Sequence, residues 1–190
     1  MSADLRSTVL PESARRRSAL IVAGEVTIRT AAEADLPAIV EIFNAAVLSR
    51  MSTAVLEPVT VDERREWFHE HSPDGHPLFV LVTDDRVAGW LSVHSFITRC
   101  AYAGTAEVSV YVHPEFKRRG IGGQLLRHTL SEAPRLGLTA LAGLIFGHNQ
   151  PSLQLFEHCG FTQWGLLPRV ARLDGVQRDV VIVGQLIDVE

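Results

Sequence analysis

Apolar positions along this chain alternate between two periods, and the switches divide it into elements. Val26-Thr27-Ile28-Arg29 alternates as a short first strand, after which Leu36, Ile39, Val40, Phe43 and Val47 recur at helical spacing and predict a helix over 34–49. Thr30-Ala31-Ala32-Glu33 has capping-box spacing ahead of that helix, and Pro37 suits a first helical turn. After a loop, 61–71 predicts a second helix anchored by Trp67 and Phe68. Leu78 to Val82 is then a strand, Asp84-Asp85-Arg86 a hairpin turn, and Val87 to Ile97 the return strand.

A polar, irregular stretch from Thr98 to Gly104 leads into a strand over 105–112, which breaks at Pro114. The third helix begins in a glycine-rich turn, carries Leu125, Leu126, Thr129, Leu130 and Ala133 on one face, and ends near Arg135 before Gly137. Leu138 to Ile145 is a continuous apolar run, as expected of a strand buried on both faces and, by the crossover rule, parallel to 105–112. His148-Asn149-Gln150-Pro151-Ser152 opens a fourth helix that stops at Gly160, and 161–173 and 179–187 form a last hairpin through Asp174-Gly175. The result is an α/β (α+β) chain with a mixed central sheet flanked by helices, and no internal repeats. Residues 1–24 lack periodicity and are expected to be a mobile extension, since the apolar run after Arg15-Arg16-Arg17 is short for a signal peptide. Residues 25–190 then form one domain.

Composition narrows the options. With 190 residues, 46% of them hydrophobic, the chain has enough material for one substantial core, and no apolar run reaches the roughly 20 residues a bilayer span needs. A net charge of −4 argues against a dedicated nucleic-acid binder. Two distant cysteines, Cys100 and Cys159, suggest neither a disulfide framework nor a metal site, and so a reducing, cytoplasmic setting.

Chemistry concentrates where the strand over 105–112 meets the third helix. Lys117-Arg118-Arg119-Gly120-Ile121-Gly122-Gly123 places cations and glycines at a helix start, where backbone N–H groups lack internal partners and the helix dipole is positive. A diphosphate fits that environment. A P-loop needs Gly-Lys-Ser/Thr where this chain has Gly-Gly-Gln, and a dinucleotide fingerprint needs a third glycine where it has Leu125.

The turn resembles the acyl-CoA motif of the GNAT superfamily of N-acetyltransferases, Q/R-x-x-G-x-G/A, with Lys117 in the first position. The order of elements over 26–187 is also that of the GNAT fold. Within the superfamily the chain is similar to phosphinothricin and methionine sulfoximine acetyltransferases, or L-amino acid N-acyltransferases. Arg29 through Asn44, Glu57-Pro58, Ala106 through Pro114, Asn149 with Ser152, and Cys159-Gly160-Phe161 carry the similarity. The resemblance implies acetyl-CoA as cosubstrate, a small primary amine as acceptor, no metal, and a homodimer.

It also implies roles. Glu107 matches the general base that removes the proton of the attacking amine, where the alternative is a strand glutamate facing solvent. Val110, Tyr111 and Val112 would offer backbone groups to the pantetheine arm, and Lys117, Arg118, Arg119, Gly120, Ile121, Gly122 and Gly123 would hold the diphosphate. Asn149 and Ser152 match contacts to the coenzyme, though Asn149 fits a plain helix cap equally well. Arg99, Tyr102 and Glu107 would face the acceptor, in a pocket built by the loop after the first helix, by 99–105 and by the last hairpin. Arg99 or Arg178 could hold an acceptor carboxylate. The chain departs from its look-alikes at Ala54, Gly104 and Gln177-Arg178-Asp179, which changes the pocket, and at Phe156, where relatives carry a Tyr or His able to protonate the leaving thiolate. Alternatives are a peptide N-terminal acetyltransferase and a non-catalytic acyl-CoA-binding module.

Overall fold

The computed structural model describes residues 26–187, and the predicted elements occur there in the predicted order. They are β1 (Thr27–Thr30), α1 (Leu36–Ser49), α2 (Val61–His69), β2 (Leu78–Thr83), β3 (Arg86–Ser95), β4 (Thr105–Val112), α3 (Ile121–Glu132), β5 (Ala140–Phe146), α4 (Gln150–His158), β6 (Thr162–Leu173) and β7 (Val176–Leu186). The expected extension over 1–24 lies outside the described residues.

Boundaries move for local reasons. Thr30 does not cap α1, because it pairs with Phe79 as part of β1. The reciprocal contact falls two residues later, where the Asp35 carboxylate accepts from the Ala32 N–H at 2.8 Å and is gripped by Arg29 at 2.6 and 2.9 Å. The guanidinium beside Asp35 holds its carboxyl below the usual range. α2 stops at His69 rather than 71, and α3 at Glu132 rather than Arg135, the chain after it tightening into turns that close on Gly137 at φ +70°. The polar stretch before β4 contains a single 3-10 turn at Cys100–Tyr102. Both two-residue hairpin loops, Asp84-Asp85 and Asp174-Gly175, have positive φ throughout, the geometry that matches strand twist.

Seven strands form one sheet in the order β1-β2-β3-β4-β5-β7-β6, antiparallel except for β4 beside β5, the pair joined by the α3 crossover. On one face α1 and α2 pack Ile39, Phe43 and Val47 with Trp67 against Leu78, Val80 and Trp90, whose indole donates to the Ile39 carbonyl at 3.1 Å. On the other, Leu125 and Leu126 of α3 and Phe156 of α4 cover Leu91, Val93, Val108 and Leu141. Residues directly opposite in an antiparallel pair share a face. The register therefore lines Trp90, Ser92 and His94 of β3 beside Tyr111, Ser109 and Glu107 of β4, on the α1/α2 side.

Leu125 is fully buried beneath the turn that starts α3. Leu125→Ala is expected to cost about 2–5 kcal/mol of stability, measured by urea denaturation.

Candidate active site

The site begins with a defect in strand pairing. β4 and β5 are partnered only at Thr105–Ala140, Ala106–Leu141 and Glu107–Ala142. Beyond those residues β4 stays with β3 as far as Val112, and β5 stays with β7 as far as Phe146. The strands must therefore part, leaving facing backbone edges with no strand between them. Main-chain N–H and C=O groups deprived of partners cost about 1–3 kcal/mol each when buried, so the gap favours an occupant with amides of its own.

Two cavities meet in this gap. One, of about 280 Å³, has Glu107, Ser109, Leu144, Phe156, Ala171 and Val180 on its walls. The other, of about 600 Å³, runs to the start of α3 and is lined by Val112, Lys117, Arg118, Gly120, Ile121, Gly122 and Gly123. Met51, Ser52, Val110, Tyr111, Asn149 and Ser152 border both. Predicted coenzyme residues thus converge on one groove, with one exception: the Arg119 guanidinium lies over the Phe116 ring at 5.1 Å and is not on its wall.

The turn into α3 has the form an anion requires. A short 3-10 turn over Pro114–Phe116 bends the chain out of β4, with the His113 ring accepting from the Glu115 N–H at 3.2 Å. Arg118 and then Gly120 take left-handed backbone angles, φ +62° and +77°, and no side chain caps the helix. Its first amides are therefore free to receive oxygen atoms. Gly122 lines the groove and also packs against α4, where a Cβ would stand 2.8 Å from the end of the Leu155 side chain.

Glu107 is half-buried at the point where the strands separate. Burial raises its carboxyl above the ordinary value, and no cation pairs with it among the described residues. Asn149 caps α4 and also borders the groove. Its Oδ1 caps α4 by accepting from the Ser152 N–H at 3.2 Å, its Nδ2 donates to the Met51 carbonyl at 2.9 Å, and it borders both cavities. Phe156 is buried edge-on to Phe161 and presents only hydrocarbon. The Cys159 thiol is held above its usual value, chiefly by burial, which disfavours a thiolate nucleophile.

The acceptor side departs from the sequence-based picture in part. Arg99 and Tyr102 sit exposed on the segment before β4, and neither borders either cavity. The last hairpin does contribute, through Ala171 and Val180, while Leu144, expected to be buried within its strand, opens onto the same space. Residues 51–54 of the loop after α1 also line the smaller cavity, as expected of that loop. They are tied down by Asn149, by the His148 ring against the Arg50 carbonyl at 3.1 Å, and by the Tyr111 hydroxyl donating to the Ser52 carbonyl at 3.3 Å. What the sequence does not show is how that loop is held, since the Asn149 anchor lies 98 residues from Met51.

Comparison with known proteins gives one consistent result. Residues 39–161 match the model of the acetyltransferase (GNAT) family. The chain is 45% identical over 161 residues to YwnH of Bacillus subtilis, a protein named for phosphinothricin acetyltransferase, covering 84% of this chain and 98% of that one. It is 34% identical over 145 residues to the L-methionine sulfoximine/L-methionine sulfone acetyltransferase of Salmonella typhimurium, covering 76% and 85%. Among solved structures, a GNAT superfamily phosphinothricin acetyltransferase from Sinorhizobium meliloti in complex with AcCoA superposes with a TM-score of 0.81 at 28% identity, covering 85% of this chain and 88% of that one.

A carboxyl whose folded-state pKa is raised gives up stability as pH rises through that value, because the folded chain must then bury a charge. Glu107→Gln is accordingly expected to match or exceed the parent's stability at pH 7. That gain should shrink as pH falls through the folded value and vanish below the ordinary 4.5, as followed by denaturation at a series of pH values.

Proposed function

Because this chain belongs to the acetyltransferase (GNAT) family, we propose that it is an acetyl-CoA-dependent N-acetyltransferase acting on the primary amine of a small molecule, an amino acid or an analogue of one, with Glu107 as general base. One observation carries the reading: a half-buried carboxylate stands where two strands part, on the wall of a smaller cavity able to hold an amine, which shares Val110 and Tyr111 with a groove that starts on free helix amides.

The residues present fit the coenzyme. Amides at the start of α3, with Lys117 and Arg118 beside them, would take its diphosphate, and the unpartnered edges of β4 and β5 would take the amides of its arm. Bound there, it supplies an activated acetyl thioester. An alkylammonium with a pKa near 10 cannot attack until it loses a proton, and the raised carboxyl of Glu107 is suited to accept it near neutrality, directly or through one water. A backbone N–H of Val110, Tyr111 or Val112 would stabilise the negative charge that develops on the carbonyl oxygen, an effect worth about 3 kcal/mol.

Phe156 has no proton to give, so the thiolate would leave unassisted from that position, which a thiol pKa near 8.5 permits. The raised thiol of Cys159 supports direct transfer over a covalent acyl-enzyme. A second copy of the chain would pair through β6, an edge strand with Trp164, Leu166 and Val170 exposed.

Thiol release from acetyl-CoA across a panel of amino acids and simple amines tests the reading. Turnover with at least one amino acid is expected, whereas tight coenzyme A binding without turnover would favour a non-catalytic binding module. Glu107→Gln is expected to lower kcat about 10²- to 10⁴-fold at pH 7 and to remove the acidic limb of the pH profile, with coenzyme A affinity within a few-fold of the parent by calorimetry. Light scattering should give twice the chain mass in solution, falling to one chain in Leu166→Glu.

A further inference from the structure

Arg64 of α2 lies against the Glu107 face of the sheet and has no anionic partner among the described residues. Its guanidinium stands 4.0 Å from the centre of the Phe43 ring and 4.7 Å from that of Trp67. Those rings reach opposite ends of one strip: Phe43 is edge-on to Tyr111 at 5.6 Å, and Trp67 is tilted against His94 at 6.1 Å. His94 is directly opposite Glu107, Trp90 is opposite Tyr111, and Ser92 and Ser109 lie between the two pairs. The guanidinium therefore stands over the strip that runs from Tyr111 to Glu107.

The neighbouring arginine shows what a structural cation does here. Arg65 points outward and pairs with both Glu33 and Asp62, whereas Arg64 is half-buried, with its pKa lowered by burial and no hydrogen bond opposing that cost. Two aromatic faces fix its position but cannot accept its in-plane N–H groups, which remain for a planar anion. Glu107 does not take that place, because the two groups form no ion pair, so an unpaired cation and an unpaired carboxylate face the same strip. A zwitterion complements such a pair, its amine toward Glu107 and its carboxylate toward α2.

We infer that Arg64 binds the carboxylate of the acceptor and thereby selects amino acids over simple amines. This rests on the reading of the chain as an acetyltransferase of amino acids. It assigns to α2 the duty that the sequence offered to Arg99 or Arg178. None of the three arginines is on the wall of either cavity; Arg99 is exposed before β4, and Arg178, though half-buried with an unpartnered Nε, lies on β7 with β5 between it and β4, whereas Arg64 lies against the Glu107 face of β3 and β4.

The test compares an amino acid that the parent acetylates with the carboxamide of the same amino acid, in the parent, Arg64→Gln and Arg64→Lys. Arg64→Gln is expected to lower kcat/KM for the acid on the order of 10- to 100-fold and for the carboxamide less than 3-fold, with the KM for acetyl-CoA and the melting temperature unchanged. Arg64→Lys keeps the charge and stem, guards against misfolding of the glutamine variant, and should give an intermediate split. Equal losses on acid and carboxamide would make Arg64 a packing residue and overturn the inference. So would an undiminished acid rate, or a split that follows Arg99→Gln or Arg178→Gln and not Arg64→Gln. A parent enzyme that acetylates no amino acid defeats the functional reading itself, and that failure is visible before any variant is made.

Discussion

The constraint on which the rest depends is the short life of the β4–β5 pairing. Three residue pairs hold the strands together, and then each commits to its other neighbour, so the sheet splits in its middle. The split is stable because both flanks are anchored elsewhere. β4 is held by β3 and by the Trp90–Tyr111 stack at 4.3 Å, and β5 is held by seven partners on β7. Because parallel strands require a crossover, α3 must start just past the end of β4, which brings its free amides to the mouth of the same gap. One topological decision thus supplies uncapped helix amides, two exposed backbone edges and a carboxylate where the strands part.

Around that gap the loop after α1 acts as a wall rather than a connection. Asn149 caps α4 and ties Met51 with opposite ends of one amide, so the start of α4 and the loop are fixed to each other. Arg50, itself in left-handed geometry, reaches Asp174 in the last hairpin at 2.8 Å. Elements distant in sequence are in this way brought together around the smaller cavity, where partial burial raises the proton affinity of Glu107.

The fold was largely legible because both hydrophobic periods are clean and the glycine turn has a mechanism. The Lys117–Gly123 turn, the Glu107 strand and the α4 start could each be assigned from spacing or from family resemblance. What the sequence hid were contacts with no local signature. Asp35 takes over the cap expected of Thr30 because β1 claims Thr30 for pairing, and Leu144 faces the cavity because its strand loses a neighbour midway. The Leu155 side chain comes against Gly122, a contact visible only once α3 and α4 are side by side. Arg64 and Arg65 are indistinguishable as letters, and only the helix phase separates a surface ion pair from a guanidinium turned toward the sheet.

The most direct measurement of the central claim is a titration of the 15N-labelled protein with coenzyme A, following backbone amides. The largest shifts are expected along Val108–Val112, Gly143–Phe146 and the first turn of α3, with Glu107 at the inner limit of the perturbed region. Shifts confined to other surfaces, with the edges of β4 and β5 unmoved at saturation, would contradict it.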